Sequence, residues 1–184
     1  MPPKNETVRL LVLHESQDNT EQVINALKNS GIATRPELVS DEDSLIVALK
    51  DNSWDIMLVG ESTNDVMFDA AMMHVRKLDK DIPCIVLLDK ADPEITVDCL
   101  QAGACDVIVH DAHTHLVLAI KRELASLQNR RARRKSEAQL AEVEKRCELL
   151  LDNSRDAIAY VHDGMHIYAN MAYAELFGYD SQED

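Results

Sequence analysis

The sequence is poor in the residues that mark several classes of protein. Glycine and proline occur five times each among 184 residues, which excludes collagen-like and low-complexity chains. The four cysteines include no C-x-x-C pair and no following histidine pair at zinc-finger spacing, so they predict scattered reduced thiols. The longest apolar run, CIVLL at 84–88, is far too short to span a bilayer, and the N-terminal MPPKNE has no apolar signal segment. We therefore expect a cytoplasmic protein with no direct membrane insertion.

The few glycines also limit the catalytic motifs that the chain can contain. Helix ends are expected at Gly31, Gly103 and Gly178, a turn at Gly164, and a strand end at Gly60. None is left for a phosphate-cradling loop, and there is no G-x-G-x-x-G, Walker or nucleophile-elbow motif. The sequence thus predicts no enzyme activity, no cofactor and no metal site in this segment.

Charge is unevenly spread along the chain, whose formal net charge is −14. Residues 1–129 carry −11 and residues 147–184 carry −7, whereas residues 130–146 carry +4. The basic run RRARRK at 130–135 has two interpretations: a patch for nucleic acid or anionic lipid, or a solvated helix surface that pairs with nearby acids. The second is favoured because acidic segments flank the run, so we expect no nucleic acid among the partners.

Short continuous apolar runs are the main signal of secondary structure. They are LLVL at 10–13, IMLV at 56–59, CIVLL at 84–88 and VIV at 107–109, with RPELV at 35–39 as a weaker, proline-containing edge strand. Runs of this kind are typical of strands buried on both faces in a parallel sheet. Helical patterns separate them, the first with Asn19 or Thr20 as its expected cap, so the predicted order is βαβαβαβαβα. This order indicates an α/β, doubly wound, five-stranded parallel sheet with its ligands beyond the carboxyl ends of the strands.

From His113 the pattern changes to a long helix. Residues 113–151 contain neither glycine nor proline. A first heptad-like seam at Val117, Ile120, Leu124 and Leu127 is expected to pack on the domain. A second seam follows out of phase, at Leu140, Val143, Cys147 and Leu150, and its 3-4-3 spacing is that of a coiled coil. We expect residues 128–150 to form a helical linker that joins two copies into a homodimer.

Residues 1–127 resemble CheY-like receiver domains. The resemblance lies in four sequence stretches, RLLVLHES, WDIMLVGES, DIPCIVLL and AGACDVIVHD. In that family two acids after the first strand hold Mg²⁺, an aspartate ending the third accepts a phosphoryl group, and a serine or threonine and a lysine complete the pocket. The corresponding positions of this chain are His14 and Glu15, Gly60, Leu88, and His110 with Asp111. Only Glu15 keeps its chemical type, so the resemblance implies a degenerate receiver that is not phosphorylated by the usual route.

Two alternatives at this pocket stay open. Glu61 is either a permanent phosphate mimic or a solvated loop acid, and the second is favoured. His14 and His110 either face each other as metal ligands or are polar side chains at strand ends without a metal, and again the second is favoured.

Residues 151–184 resemble the start of a PAS domain, through DNSRDAIAYV and HIYANMAYAELFGY with HDG as a hairpin turn. A degenerate receiver, a helical linker and a PAS start together resemble the N-terminal region of FimX-type cyclic-di-GMP regulators of type IV pili and twitching motility. The resemblance implies a non-catalytic signalling and dimerisation module that contacts a protein of the signalling or pilus machinery. The alternative is an unconventional phosphate- or metal-responsive switch that uses Glu15, Glu61, His14 or His110.

Overall fold

The computed structural model describes residues 7–13, 17–60 and 66–178. The chain divides into two compact parts, here called the α/β part (residues 1–130) and the C-terminal part (residues 131–184). Five strands of the α/β part form one sheet in the order β2-β1-β3-β4-β5, and every neighbouring pair is parallel. The strands are β1 Val8–Leu13, β2 Thr34–Val39, β3 Ile56–Gly60, β4 Cys84–Leu88 and β5 Asp106–Val109. The predicted doubly wound parallel sheet is confirmed.

Helices alternate with these strands, as predicted. They are α1 Gln17–Asn29, α2 Glu42–Asp51, α3 Val66–Lys77, α4 Pro93–Ala102 and α5 His113–Asp152. The side chain of Asp92 accepts hydrogen bonds from two backbone N–H groups at the start of α4, and Pro93 occupies the first turn. Gly103 ends that helix in the left-handed conformation. The expected cap of α1 at Asn19 or Thr20 is wrong, because α1 begins earlier, at Gln17.

The core of the α/β part consists of layers on both faces of the sheet. One cluster joins alternate residues of β1, β3 and β4, such as Leu11 and Met57, to α2 and α3. The alternating residues, such as Leu10 and Leu58, pack on the other face against α1 and α5. Every residue of β3 and β4 is buried, which explains why their sequences are apolar throughout rather than alternating.

Nearly the first half of α5 is fixed to the α/β part by apolar contacts and two arginines. Leu116, Ala119, Ile120 and Leu127 are its buried residues. Of the predicted seam, Ile120 and Leu127 are thus buried, and Val117 and Leu124 are partly buried against the same core cluster. The predicted packing of this seam is therefore confirmed. Arg122 pairs with Asp106 on β5 at 3.1 Å. At the end of this segment Arg130 binds Asp81 with two nitrogens and donates to Ser126 with the third.

The C-terminal part begins with the exposed remainder of α5. It continues with the strands β6 Ala159–His162 and β7 Met165–Ala169 and the helix α6 Met171–Phe177. The two strands pair as an antiparallel hairpin, and Asp163 and Gly164 at its turn both have positive φ. Among residues 7–13, 17–60 and 66–178, no helix combines the length and the apolar character needed to cross a bilayer.

Asn170 organises the C-terminal part. It is fully buried and caps α6 by accepting a hydrogen bond from the Tyr173 N–H. The same oxygen accepts from the Ile158 N–H, and the amide nitrogen donates to the carbonyls of Leu151 and Asp156. One side chain therefore connects the last turn of α5, the loop that follows it and the first turn of α6.

Candidate functional site

The carboxyl edge of the parallel sheet is where this architecture places ligands. From β1 the chain adds β2 on one side of the sheet and then β3, β4 and β5 on the other side. In folds of this kind a crevice lies at the carboxyl edge between the two strands where the side changes, here β1 and β3. The register pairs Gly60 with Leu87, and Leu88 with Val109, so the ends of β3, β4 and β5 lie side by side. The predicted pocket positions Gly60, Leu88 and His110 therefore come to one edge of the sheet.

Gly60 is the last residue of β3, and it is buried. It occupies the place at which the receiver resemblance requires an acceptor aspartate. A hydrogen atom in place of a side chain offers neither an oxygen for phosphoryl transfer nor a ligand for a cation. Gly60 itself therefore cannot accept a phosphoryl group.

Leu88 ends β4 and is 3% exposed. It packs in an apolar cluster with Val86, Cys99 and Ala104, against which Phe68 also lies. A leucine at this strand end has no hydroxyl that could donate a hydrogen bond to a phosphoryl oxygen. Its burial shows that the position now serves packing.

His110 follows β5 and is 7% exposed. Its backbone N–H donates to the Leu88 carbonyl at 2.8 Å, which extends the ladder between β4 and β5 by one residue. An imidazole here replaces the flexible ammonium group of a lysine, which bears a full positive charge at neutral pH. The neighbouring Asp111 is exposed.

Three other predicted pocket residues, His14, Glu15 and Glu61, lie outside the described residues. Their proposed roles in binding a phosphate or a metal therefore stay predictions. Among the residues that the structure describes, no group of three or more histidine, cysteine, aspartate or glutamate side chains is arranged to hold a metal ion.

The second candidate surface is the seam on α5. Leu140, Val143 and Leu150 are 60%, 63% and 69% exposed, and Cys147 is exposed as well. All residues from 131 to 150 are exposed, so the seam has no covering within this stretch. An apolar stripe of this spacing on a solvated helix is the arrangement that a partner helix buries.

Some structural contacts were not predicted from the sequence. Arg130 was assigned only to a basic run, whereas it binds Asp81, which lies 49 residues earlier, at 2.9 Å. The network around Asn170 was also missed, although an asparagine directly before a helical pattern is a capping signal. Long-range pairs of this kind leave no local periodic signal, so only the fold reveals them.

Comparison with known proteins supports the fold assignment. No protein-family model matches the chain, and a search of curated proteins finds no significant match. Among solved structures, the receiver domain of a Luxo repressor protein from Vibrio parahaemolyticus is 12% identical with a TM-score of 0.60, covering 69% of this chain and 97% of its own. The receiver domain of NarL from Mycobacterium tuberculosis is 22% identical with a TM-score of 0.56, covering 65% and 98%.

A third similar structure is the receiver domain of a sensor histidine kinase from Pseudomonas aeruginosa, which holds a magnesium ion in its active-site cleft. It is 19% identical with a TM-score of 0.54, and the match covers 65% of this chain and 99% of that domain. At these identities the likeness establishes the fold of a CheY-like receiver.

Proposed function

We propose that this chain is a pseudo-receiver: a signalling module that keeps the receiver fold without its phosphoryl chemistry. The observation that supports the proposal most directly is the set of side chains at the carboxyl edge of the sheet. Gly60, Leu88 and His110 stand at the ends of neighbouring strands, and none of them provides a carboxylate, a hydroxyl group or an ammonium group there.

The physical argument concerns charge. Phosphoryl transfer to a carboxylate gathers negative charge, which a divalent cation and a fixed ammonium group must offset. Mg²⁺ prefers several oxygen ligands in octahedral geometry and gives up its water reluctantly. Gly60 removes one such ligand, and His110 removes the fixed positive charge. Gly60 and His110 therefore supply neither the acceptor nor the ammonium group of a complete pocket.

Signalling by such a module depends on its surfaces. The proposed organisation is a degenerate receiver at 1–127, a helical linker at 128–150 and the start of a PAS domain at 151–184. The exposed seam of Leu140, Val143, Cys147 and Leu150 supports pairing of two copies through the linker. The hydrogen bonds of Asn170 then tie the end of that linker to the hairpin and α6.

The wider role follows from the resemblance of the sequence to FimX-type proteins. On that basis the chain is the N-terminal, non-catalytic module of a cyclic-di-GMP-linked regulator of type IV pili and twitching motility. Its partner would be a cytoplasmic protein of the signalling or pilus machinery.

The chemical half of the proposal is tested by phosphoryl transfer from a small donor. Incubation of the chain with acetyl phosphate and Mg²⁺, followed by intact mass spectrometry, is expected to show no added phosphoryl group. A receiver with a complete pocket, treated in parallel, serves as the positive control for the donor. A stoichiometric gain of one phosphoryl group would refute the pseudo-receiver. It would also favour the alternative, a phosphate-responsive switch that uses Glu15, Glu61, His14 or His110.

A further inference from the structure

Two cysteines lie side by side at the amino end of the sheet, opposite the pocket edge. Cys84 is the first residue of β4, and Cys105 directly precedes β5. The Cys105 N–H donates to the Cys84 carbonyl at 2.7 Å. The register pairs Ile85 with Asp106, so Cys84 and Cys105 immediately precede the first residue pair of the β4–β5 ladder.

The geometry of parallel strands brings these two thiols within range of a disulfide bond. Neighbouring strands lie about 4.8 Å apart, and disulfides join Cα atoms separated by roughly 4.4–6.8 Å. Cys84 packs on the face that carries α3, and Cys105 borders a groove that is also lined by Met72 and Val75 of that helix, so the two side chains lie on the same side of the sheet. Cys105 stands before the first residue of β5, so its position can adjust without breaking the β4–β5 ladder.

The two cysteines differ in their access to solvent. Cys84 is buried and Cys105 is exposed. Cys105 borders an open groove of about 430 Å³ whose lining also includes Arg76, Asp81 and Arg130. A small oxidant that enters this groove reaches Cys105 first. The buried Cys84 next to it is then the second thiol for a disulfide.

We propose that Cys84 and Cys105 form a redox modification site, in which a hydroperoxide oxidises the two thiols to an intramolecular disulfide. The Cys105 thiolate attacks one oxygen of hydrogen peroxide and breaks the O–O bond, which gives a sulfenic acid and a hydroxide ion. The hydroxide takes up the proton that the thiol released and becomes water. The Cys84 sulfur then attacks the Cys105 sulfur and displaces the hydroxyl group as a second water. In total two thiols and one hydrogen peroxide give one disulfide and two water molecules, and the protein loses two electrons and two protons.

The surroundings of the thiols set the conditions under which this reaction runs. Burial raises the pKa of the Cys84 thiol, and burial together with the nearby Glu123 raises the pKa of Cys105. The thiolate is the reactive form, so the reaction is slow at neutral pH and becomes faster as the pH rises. A directly cross-strand disulfide is also strained, and strained disulfides are the ones that reducing agents open readily. The pair is therefore suited to reversible oxidation.

The test uses the full chain with Cys147→Ser, which removes the exposed thiol of the linker seam. This variant holds three of the four cysteines, all of them reduced at the start. After hydrogen peroxide at mildly alkaline pH, thiol titration in denaturant is expected to find one thiol, and the intact mass to fall by two hydrogen atoms. Peptide mapping under non-reducing conditions is expected to recover one linked pair, Cys84 with Cys105, which dithiothreitol separates.

Two further variants keep the proposal open to refutation. Because Cys84 is buried, the decisive substitution is Cys105→Ser at the exposed position, which is expected to abolish the linked pair. The matched control is Cys99→Ser, at a buried cysteine of α4, which is expected to leave the Cys84–Cys105 pair intact. The proposal is overturned if the thiol count stays at three, if Cys105 advances to sulfinic acid while Cys84 stays reduced, or if Cys99 supplies the link.

Discussion

The seam on α5 gives the sharpest prediction, because its contribution to association can be worked out from exposure. We consider the double change Val143→Glu with Leu150→Glu. Both side chains lie on the same stripe of a solvated helix, and residues 131–150 are exposed throughout. If two copies pair through this stripe, the substitutions place four carboxylates in the interface and separate the chains.

The magnitude follows from the surface available for burial. Leu140, Val143 and Leu150 are 60–69% exposed. Complete burial of such a side chain contributes roughly 1.5–3 kcal/mol, so each has about 1–2 kcal/mol left to gain. Six such side chains in a dimer give about 6–12 kcal/mol, against association costs of about 4–15 kcal/mol. The dimer is therefore expected to depend on protein concentration.

The double variant removes four of those six side chains, a loss of about 4–8 kcal/mol. At about 1.4 kcal/mol per tenfold change, the dimer is weakened at least about a thousandfold. Sedimentation across the micromolar range is expected to show wild-type dimer and monomeric variant. The sole tryptophan, Trp54, is buried in the α/β part, and its fluorescence is expected to report unchanged unfolding of that part.

Two single variants separate this interface from others. Leu149→Glu changes an exposed leucine next to the seam but off its stripe, and is expected to leave the dimer intact. Leu118→Glu changes an exposed leucine of α5 within the α/β part, and is also expected to be neutral. A double variant that stays dimeric refutes the seam. If Leu118→Glu alone produces monomer, the chains instead pair through the α/β part.

Two further predictions concern the C-terminal part. Asn170→Ala leaves the Ile158 and Tyr173 N–H groups without their acceptor and is expected to cost about 2–4 kcal/mol, measured as faster amide exchange at those two residues. Asn170→Asp keeps that acceptor but loses the donor to the Leu151 and Asp156 carbonyls, so it tests the other half of the network. Equal protection in Asn170→Ala and wild type would contradict the network. Burial and the hydrogen bond to Asp152 raise the pKa of Tyr168 to about 12, above the unfolded value of about 10. Its contribution to stability is thus present below about pH 10 and lost as the pH rises through about 12. An ultraviolet titration should show one tyrosine with a pKa of about 12, and Asp152→Asn should lower that pKa.

Much of the fold could be predicted from sequence because local chemistry and burial agree along the chain. The apolar runs of β3 and β4 contain only residues that the structure buries on both faces, so their pattern directly indicated central parallel strands. The Asp92–Pro93 pair and Gly103 delimit α4 by capping and backbone conformation alone. The hairpin turn at Asp163 and Gly164 was predictable for the same reason, since both residues tolerate positive φ.

Other features required the tertiary structure. The buried residues of α5 also include Leu116 and Ala119, which the predicted seam did not contain, because tertiary packing decides which face of a helix is covered. The pairing of Arg130 with Asp81 joins residues far apart in sequence. The adjacency of Cys84 and Cys105 depends on the β4–β5 register, which no pattern within either strand determines. The first turn of α1 was missed because its Gln17 start carries no capping signal recognised in the sequence.

Apart from Leu88, the apolar core of this fold is built from residues other than the predicted pocket positions, so the fold does not depend on the chemistry at those positions. The core is built from the buried middles of the strands and the helix faces that cover them. The positions that define phosphoryl chemistry stand at the strand ends. Clustered carboxylates repel one another unless a cation offsets them, and a glycine at the end of β3, Gly60, adds no such repulsion to the fold. Leu88 adds buried apolar surface at the same edge. Under the proposed pseudo-receiver function, what the scaffold offers is the surface that it presents, above all the exposed stripe of α5.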